Sequence, residues 1–175
     1  NLRERNAERQ WHLGLHGLTL EARLTDMSKH LGVFPEQMPH WQWLREQLAS
    51  AREPRVLNLF GYTGIASLVA SQAGAHVTHV DASKPALAWA RHNQELSGLG
   101  ARPIRWLLDD AFKFVEREVR RERRYDAILL DPPSFGRGPK GEVWKVEQQI
   151  VDFLLNLRKL LSESPLCVVL TLYNL

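Results

Sequence analysis

Cysteine is nearly absent: the 175 residues contain one, Cys167. A lone thiol excludes an internal disulfide and a thiolate metal cage, and it fits a reducing, cytoplasmic setting. No apolar run nears the about 20 residues that a bilayer-spanning helix needs, and no signal pattern stands at the amino end. Internal repeats and low-complexity tracts are missing. Neither sign of charge dominates: 23 Lys and Arg against 20 Asp and Glu leave +3, too little to require a polyanionic partner. Arg117, Arg120, Arg121, Arg123 and Arg124 do crowd one segment, interleaved with Glu116, Glu118 and Glu122. A solvated helix end with internal ion pairs is favoured there over a nucleic-acid patch. Seven histidines suggest no metal site, because His76 and His79 fall on opposite faces of one expected strand.

What is present reads as an ordinary globular chain, 44% apolar and 25% charged. Its length suits one domain with a real core and a small appendage. Residues 1–10 are polar and expected to fray. Between Trp11 and Leu24, period-two alternation on both sides of His16-Gly17 predicts a β-hairpin. Residues 26–40 read as loop, and helical spacing resumes at Trp41, Leu44, Leu48 and Ala51.

After Pro54, strands and helices alternate. Strands are expected at 55–60, 76–80, 104–108, 125–130 and 166–173. Helices between them should bury Ile65, Leu68, Val69 and Ala73, then a turn capped by Ser83 with Pro85 inside it, then Phe112, Val115 and Val119. A long final helix should bury Ile150, Phe153, Leu154, Leu157, Leu160 and Leu161. This predicts an α/β fold whose mainly parallel sheet is covered by helices on both faces. The sequence ends just after the fifth such strand, so a continuation beyond Leu175 is expected.

Chemistry gathers at the carboxyl ends of these strands. Asn58-Leu59-Phe60-Gly61-Tyr62-Thr63-Gly64 puts two glycines in a strand-to-helix turn, where backbone can approach a ligand and a helix amino end can face a negative group. Asp81 closes the second strand about twenty residues on and can accept from both hydroxyls of a ribose; a helix cap is the plainer alternative. Asp109-Asp110-Ala111-Phe112 ends the third strand, where one carboxylate can receive an exocyclic adenine amine. Asp110 is preferred over Asp109, and either can be a simple N-cap. Asp131-Pro132-Pro133-Ser134 follows the fourth strand, presenting a carboxylate on a rigid, donor-free turn.

With Val80-Asp81-Ala82-Ser83 and Phe135, these motifs resemble the class I S-adenosylmethionine-dependent methyltransferases. The similarity is greatest to the bacterial large-subunit ribosomal RNA base methyltransferases, over residues 13–175. An upstream Gly32-Val33-Phe34-Pro35-Glu36-Gln37 is similar to a loop that this family folds over its cofactor, with Pro35 and Glu36 departing from the pattern. The resemblance implies a Rossmann-like doubly wound domain over 41–175, preceded by a hairpin and covering loop over 1–40. It implies S-adenosylmethionine held by Phe34, Gln37, Asn58, Phe60, Gly61, Tyr62, Thr63, Gly64, Asp81, Ala82, Ser83, Asp109, Asp110, Ala111, Phe112 and Asp131. Asp131, Pro132 and Pro133 should face the target base, with Phe135 stacking on it. RNA, ribosomal above all, is the implied partner.

Two departures bear on the chemistry. Ser134 stands where amino-methylating relatives carry an aromatic residue directly after the prolines, and Phe135 comes one place later. Relatives that methylate cytosine C5 carry a cysteine after the fifth strand, where this chain reads Thr171-Leu172-Tyr173-Asn174-Leu175. Cys167 lies roughly 20 Å back along the strand and reads as a packed apolar residue. Direct transfer to nitrogen or oxygen is therefore preferred. The tryptophans read as packing residues, except Trp144, which follows the basic, glycine-rich 136–141; an RNA-ordered lid and an inert loop are equal readings of that stretch. A nicotinamide-dependent oxidoreductase and a non-catalytic RNA-binding module are the alternatives.

Overall fold

A computed structural model describes residues 9–24, 31–137 and 143–173. β1 (Gln10–Leu15) and β2 (Leu18–Arg23) pair antiparallel, with Leu13 opposite Leu20. Their turn is His16-Gly17, both at positive φ, the backbone that matches strand twist in a two-residue hairpin. The alternation works as predicted: Leu18, Leu20 and Ala22 point inward and are buried.

A short 3-10 turn, Pro35–Gln37, then leads into α1 (Met38–Leu48). This helix starts three residues before Trp41, inside the stretch expected to be loop. Pro39 sits in its first turn, where a missing N–H costs nothing. Trp41, Leu44 and Leu48 face the core, whereas Trp43 is exposed rather than packed.

The remaining elements alternate as expected, except that two short strands, Phe135–Arg137 and Val143–Lys145, stand where a loop was expected. In chain order the elements are β3 (Arg55–Leu59), α2 (Ile65–Gln72), β4 (His76–Asp81), α3 (Lys84–Leu96), β5 (Ile104–Leu108), α4 (Ala111–Arg120), β6 (Ala127–Leu130), β7 (Phe135–Arg137), β8 (Val143–Lys145), α5 (Val146–Arg158) and β9 (Cys167–Leu170). The main sheet has order β5-β4-β3-β6-β9, all parallel, and β7 pairs with β8 as a separate small hairpin.

Period two sends successive strand residues into two different cores. Val56, Ala127 and Leu129 join the hairpin, α1 and α2 on one face. Leu57, Ile128 and Leu130 join Phe114, Phe153 and Leu157 of α4 and α5 on the other. A sheet so covered is doubly wound, and each fully buried Phe or Leu contributes about 1.5–3 kcal/mol. No helix among the described residues is long and apolar enough to cross a membrane.

Three boundaries differ from expectation. α4 buries Ala111, Phe114, Val115 and Glu118, a stripe one residue out of phase with Phe112 and Val119. A charged residue on the inward face hid that stripe; Glu118 is buried because it accepts from the Tyr125 hydroxyl at 2.6 Å and from Arg121 at 3.2 Å. Tyr125 precedes β6 proper and pairs with Leu161 in an isolated parallel bridge. β9 ends at Leu170, after which Thr171 and Tyr173 turn toward Gln37.

Candidate active site

The strand order reverses direction between β3 and β6, and open α/β sheets bind ligands in the crevice above such a point. Here that crevice is a cavity of about 810 Å³, lined at the carboxyl ends of the strands.

Its floor is the turn after β3. Phe60 and Tyr62 both adopt left-handed backbone, φ 58° and 49°, at a cost of roughly 1–3 kcal/mol each. Three hydrogen bonds hold the turn. The Gly61 N–H donates to the Val80 carbonyl (3.2 Å), that of Tyr62 to Asp81 Oδ2 (2.8 Å), and that of Gly64 to the Gly61 carbonyl (3.0 Å).

Close packing requires both glycines. A Cβ on Gly61 would lie 2.3 Å from the His79 ring, and Gly64, at φ +82°, would meet Ala90 at 2.8 Å. Phe60 and Tyr62 line the cavity, while Asn58, Gly61, Thr63 and Gly64 do not. Asn58 instead donates to Ser67 Oγ (2.9 Å), which contacts His79 Nδ1 (3.0 Å). His79 is fully buried, and burial lowers its pKa to about 3, so it is a neutral core residue. Thr63 donates to the Gly32 carbonyl at 2.6 Å.

That last bond draws the upstream loop over the strand ends. Phe34 and Glu36 line the cavity, the Phe34 ring 5.8 Å from that of Tyr62. Gln37 does not; it is buried, donating to the Tyr173 hydroxyl (2.9 Å) and Thr171 Oγ1 (3.3 Å). It ties the loop to the segment after β9.

The acids stand where the sequence placed them. Asp81 accepts from the N–H groups of Tyr62 and Ser83 (2.7 Å), and burial raises its pKa against those bonds. Ala82 and Ser83 continue the lining, and Ser83 caps α3. Asp109 and Asp110 both reach the cavity. Asp110 caps α4 through the Lys113 N–H (3.0 Å), and Asp109 is ion-paired with Arg117. Beside them lie Ala111 and Phe112, the latter lining the cavity on one side and packing on the core residue Phe153 at 4.2 Å on the other.

Phe112 meets Trp144 at 4.7 Å between ring centres, and Phe60 is 6.1 Å from that indole. Trp144 is only 5% exposed and donates its indole N–H to the Pro133 carbonyl. It forms a wall of the cavity, carried on the β7–β8 hairpin. Residues 138–142 of the expected lid lie outside the described residues.

Asp131, Pro132 and Pro133 complete the lining. Burial and the Glu36 carboxylate raise the Asp131 pKa to about 6, opposed by His40. The Ser134 hydroxyl donates to the Tyr173 carbonyl (3.0 Å), and Phe135 is 54% exposed outside the lining. Glu36, Val80, Gly136 and Tyr173 line the cavity without having been singled out for it. Glu36 sat in plain view as a departure from a motif. Tyr173 gives no local signal, because only the long-range tie to Gln37 brings it there. Among the described residues no three His, Cys, Asp or Glu side chains form a metal cluster.

The lining suits a nucleoside with a polar tail: an aromatic wall beside carboxylates at two neighbouring strand ends, and a volume within the range of small-molecule sites. Residues 5–168 match a family described as S-adenosylmethionine-dependent methyltransferase. The chain is 37% identical over 136 residues to the ribosomal RNA large subunit methyltransferase K/L of Cellvibrio japonicus, covering 76% of this chain and 17% of that protein. It is 41% identical over 113 residues to the same-named protein of Shewanella amazonensis, covering 63% and 16%. The chain thus spans under a fifth of these curated relatives. Among solved structures, an Agrobacterium tumefaciens SAM-dependent methyltransferase superposes with TM-score 0.93 at 52% identity, covering 95% of this chain and 53% of the other. The SMU.776 protein complexed with SAH gives 0.75 at 29% identity, covering 89% and 40%.

Proposed function

Because the chain belongs to the S-adenosylmethionine-dependent methyltransferase family, we propose that it methylates a nitrogen or oxygen of a base in structured RNA, ribosomal RNA first. The single observation that carries this is one cavity gathering Asp81, Asp110, the Phe112–Trp144 wall and Asp131 from the ends of β4, β5 and β6 and from β8. In it, Asp81 would accept from ribose hydroxyls. Asp110 would accept the adenine amine beside Phe112, and Phe34, Phe60 and Tyr62 would enclose the remainder. When bound, the cofactor supplies an electrophilic methyl group on a positively charged sulfur.

The chain's own work is then alignment and exclusion of water. Pro132 and Pro133, pinned through Trp144 and Ser134, hold Asp131 in one place. As the acceptor's lone pair forms the new bond to carbon, the methyl would leave the sulfur, which keeps the C–S bonding pair, and the acceptor's surplus proton would pass to the Asp131 carboxylate. Burial has already raised that group's basicity. Phe135, exposed next to this loop, would stack on a base turned out of its helix.

Cysteine catalysis finds no support in the chain. Cys167 is buried in the β9 core and burial raises its pKa, which disfavours the thiolate. The curated relatives, named for large-subunit ribosomal RNA, support the substrate class, and the lone cysteine supports a cytoplasmic setting. We treat 1–40 as a hairpin and covering loop serving the domain over 41–175.

Incubating the chain with ribosomal RNA and labelled S-adenosylmethionine, then separating nucleosides by mass spectrometry, tests this. A nitrogen- or oxygen-methylated nucleoside is expected; label only on cytosine C5, or none in RNA, would sink it. Calorimetry with S-adenosylhomocysteine against NAD separates the reading from an oxidoreductase.

A further inference from the structure

The amino edge of the sheet carries a second hollow, of about 440 Å³, that the chemistry above does not use. Its lining includes Arg55, His76, Arg105, Arg123, Arg124 and Glu118. Arg55 begins β3, His76 begins β4, and Arg105 is the second residue of β5, so the parallel strands bring them side by side. Arg123 and Arg124 arrive by the turn that ends α4. Glu122 takes left-handed backbone (φ 54°), and the Arg123 N–H closes onto the Glu118 carbonyl at 3.0 Å.

The interleaved glutamates do not neutralise this group. Glu118 is turned into the core, held by the Tyr125 hydroxyl and by Arg121, and Arg117 is taken by Asp109. Asp126 receives the backbone N–H of Arg55 at 2.8 Å. Among the described residues, none of the guanidinium groups of Arg55, Arg105, Arg123 and Arg124 is ion-paired with a carboxylate, and all four are exposed.

We infer that this cleft grips the phosphate backbone of the RNA substrate, away from the methylated base. The inference rests on the RNA reading above. Exposed guanidinium groups around a concave mouth fit phosphate oxygens in pairs. A five-residue strand separates the two edges by roughly 17 Å. One RNA element gripping both must therefore wrap the domain or offer two segments, as folded RNA does.

The test compares two charge-matched double variants: Arg105→Gln with Arg123→Gln in the cleft, and Arg45→Gln with Arg91→Gln on other exposed surface. Affinity for a transcribed hairpin of large-subunit ribosomal RNA is measured across a salt series. Binding of S-adenosylhomocysteine serves as the control for folding. The cleft pair should lower the slope of log affinity against log salt by about 1.5–2 and weaken binding roughly tenfold or more at physiological salt. The control pair should do neither. Equal losses from both pairs, or none from the cleft pair, overturn the inference while leaving RNA methylation standing. If the unaltered chain does not bind the RNA at all, both fall. Should the cleft pair fail to bind S-adenosylhomocysteine, the single variant Arg123→Gln, on an exposed turn, decides by a slope change of about 1 or none.

Discussion

The two edges of one parallel sheet carry opposite chemistry. At the carboxyl edge, loops deliver Asp81, Asp109, Asp110 and Asp131 with a wall of rings into a deep cavity. At the amino edge, strand starts and one turn deliver arginines around a shallower hollow. The strands between them are mostly buried, and their inner polar residues, Asn58, Thr78 and His79, are buried with them. The charged groups of both sites stand at strand ends or in the adjoining connections, and the sheet's direction sorts them into two groups. A site's character is therefore set by which end of a strand a residue follows, more than by the overall composition.

That contrast is most sharply broken at Asp131. Asp131→Ala should reduce methyl transfer by about a hundredfold or more, with S-adenosylhomocysteine affinity nearly unchanged. An equal loss of both in calorimetry and single-turnover assays would make Asp131 a cofactor ligand only. Next comes Asp81→Ala, which removes the acceptor for the Tyr62 and Ser83 N–H groups as well as for a ribose. A loss of about 10–100-fold in S-adenosylhomocysteine affinity is expected by calorimetry; retained affinity would refute the ribose role.

A third effect is on stability and lies between the edges, at His79. Its pKa is about 3 in the fold against 6.5 when unfolded, so the ring is neutral in both states above pH 6.5. Below that, the unfolded chain takes up a proton that the fold refuses. Stability should then fall with pH, approaching about 1.4 kcal/mol per unit down to about pH 3. Urea melts at pH 6 and pH 4 should show a smaller drop for His79→Asn; equal drops would contradict the assignment. The smallest effect is expected from Glu36→Gln. Removing that charge lowers the Asp131 pKa, so the rise of methyl transfer with pH, centred near 6, should move to lower pH. An unmoved profile would separate the two groups.

Much of this architecture was legible before any coordinates. Period-two runs gave the sheet, and spacing placed Asp81, Asp109, Asp110 and Asp131 at strand ends, because both follow from local backbone geometry. What the glycines make room for inside the fold was not legible. Gly61 and Gly64 yield space to His79 and Ala90, which lie in later elements and cannot be foreseen from the turn alone. On α4, Val115 was legible but Glu118 was not, because a buried glutamate interrupts the apolar stripe and Tyr125, its partner, lies seven residues further on. Trp144 was read among loop residues, yet the short β7–β8 pairing drives it into the wall.

The left-handed backbone at Phe60 and Tyr62 has a consequence for anyone engineering this chain. Both positions invite replacement by glycine, which relaxes the main chain where an L-residue is strained. Either change would also strip an aromatic ring from the cavity, so a library selected for heat tolerance alone would drift toward variants that survive and do nothing.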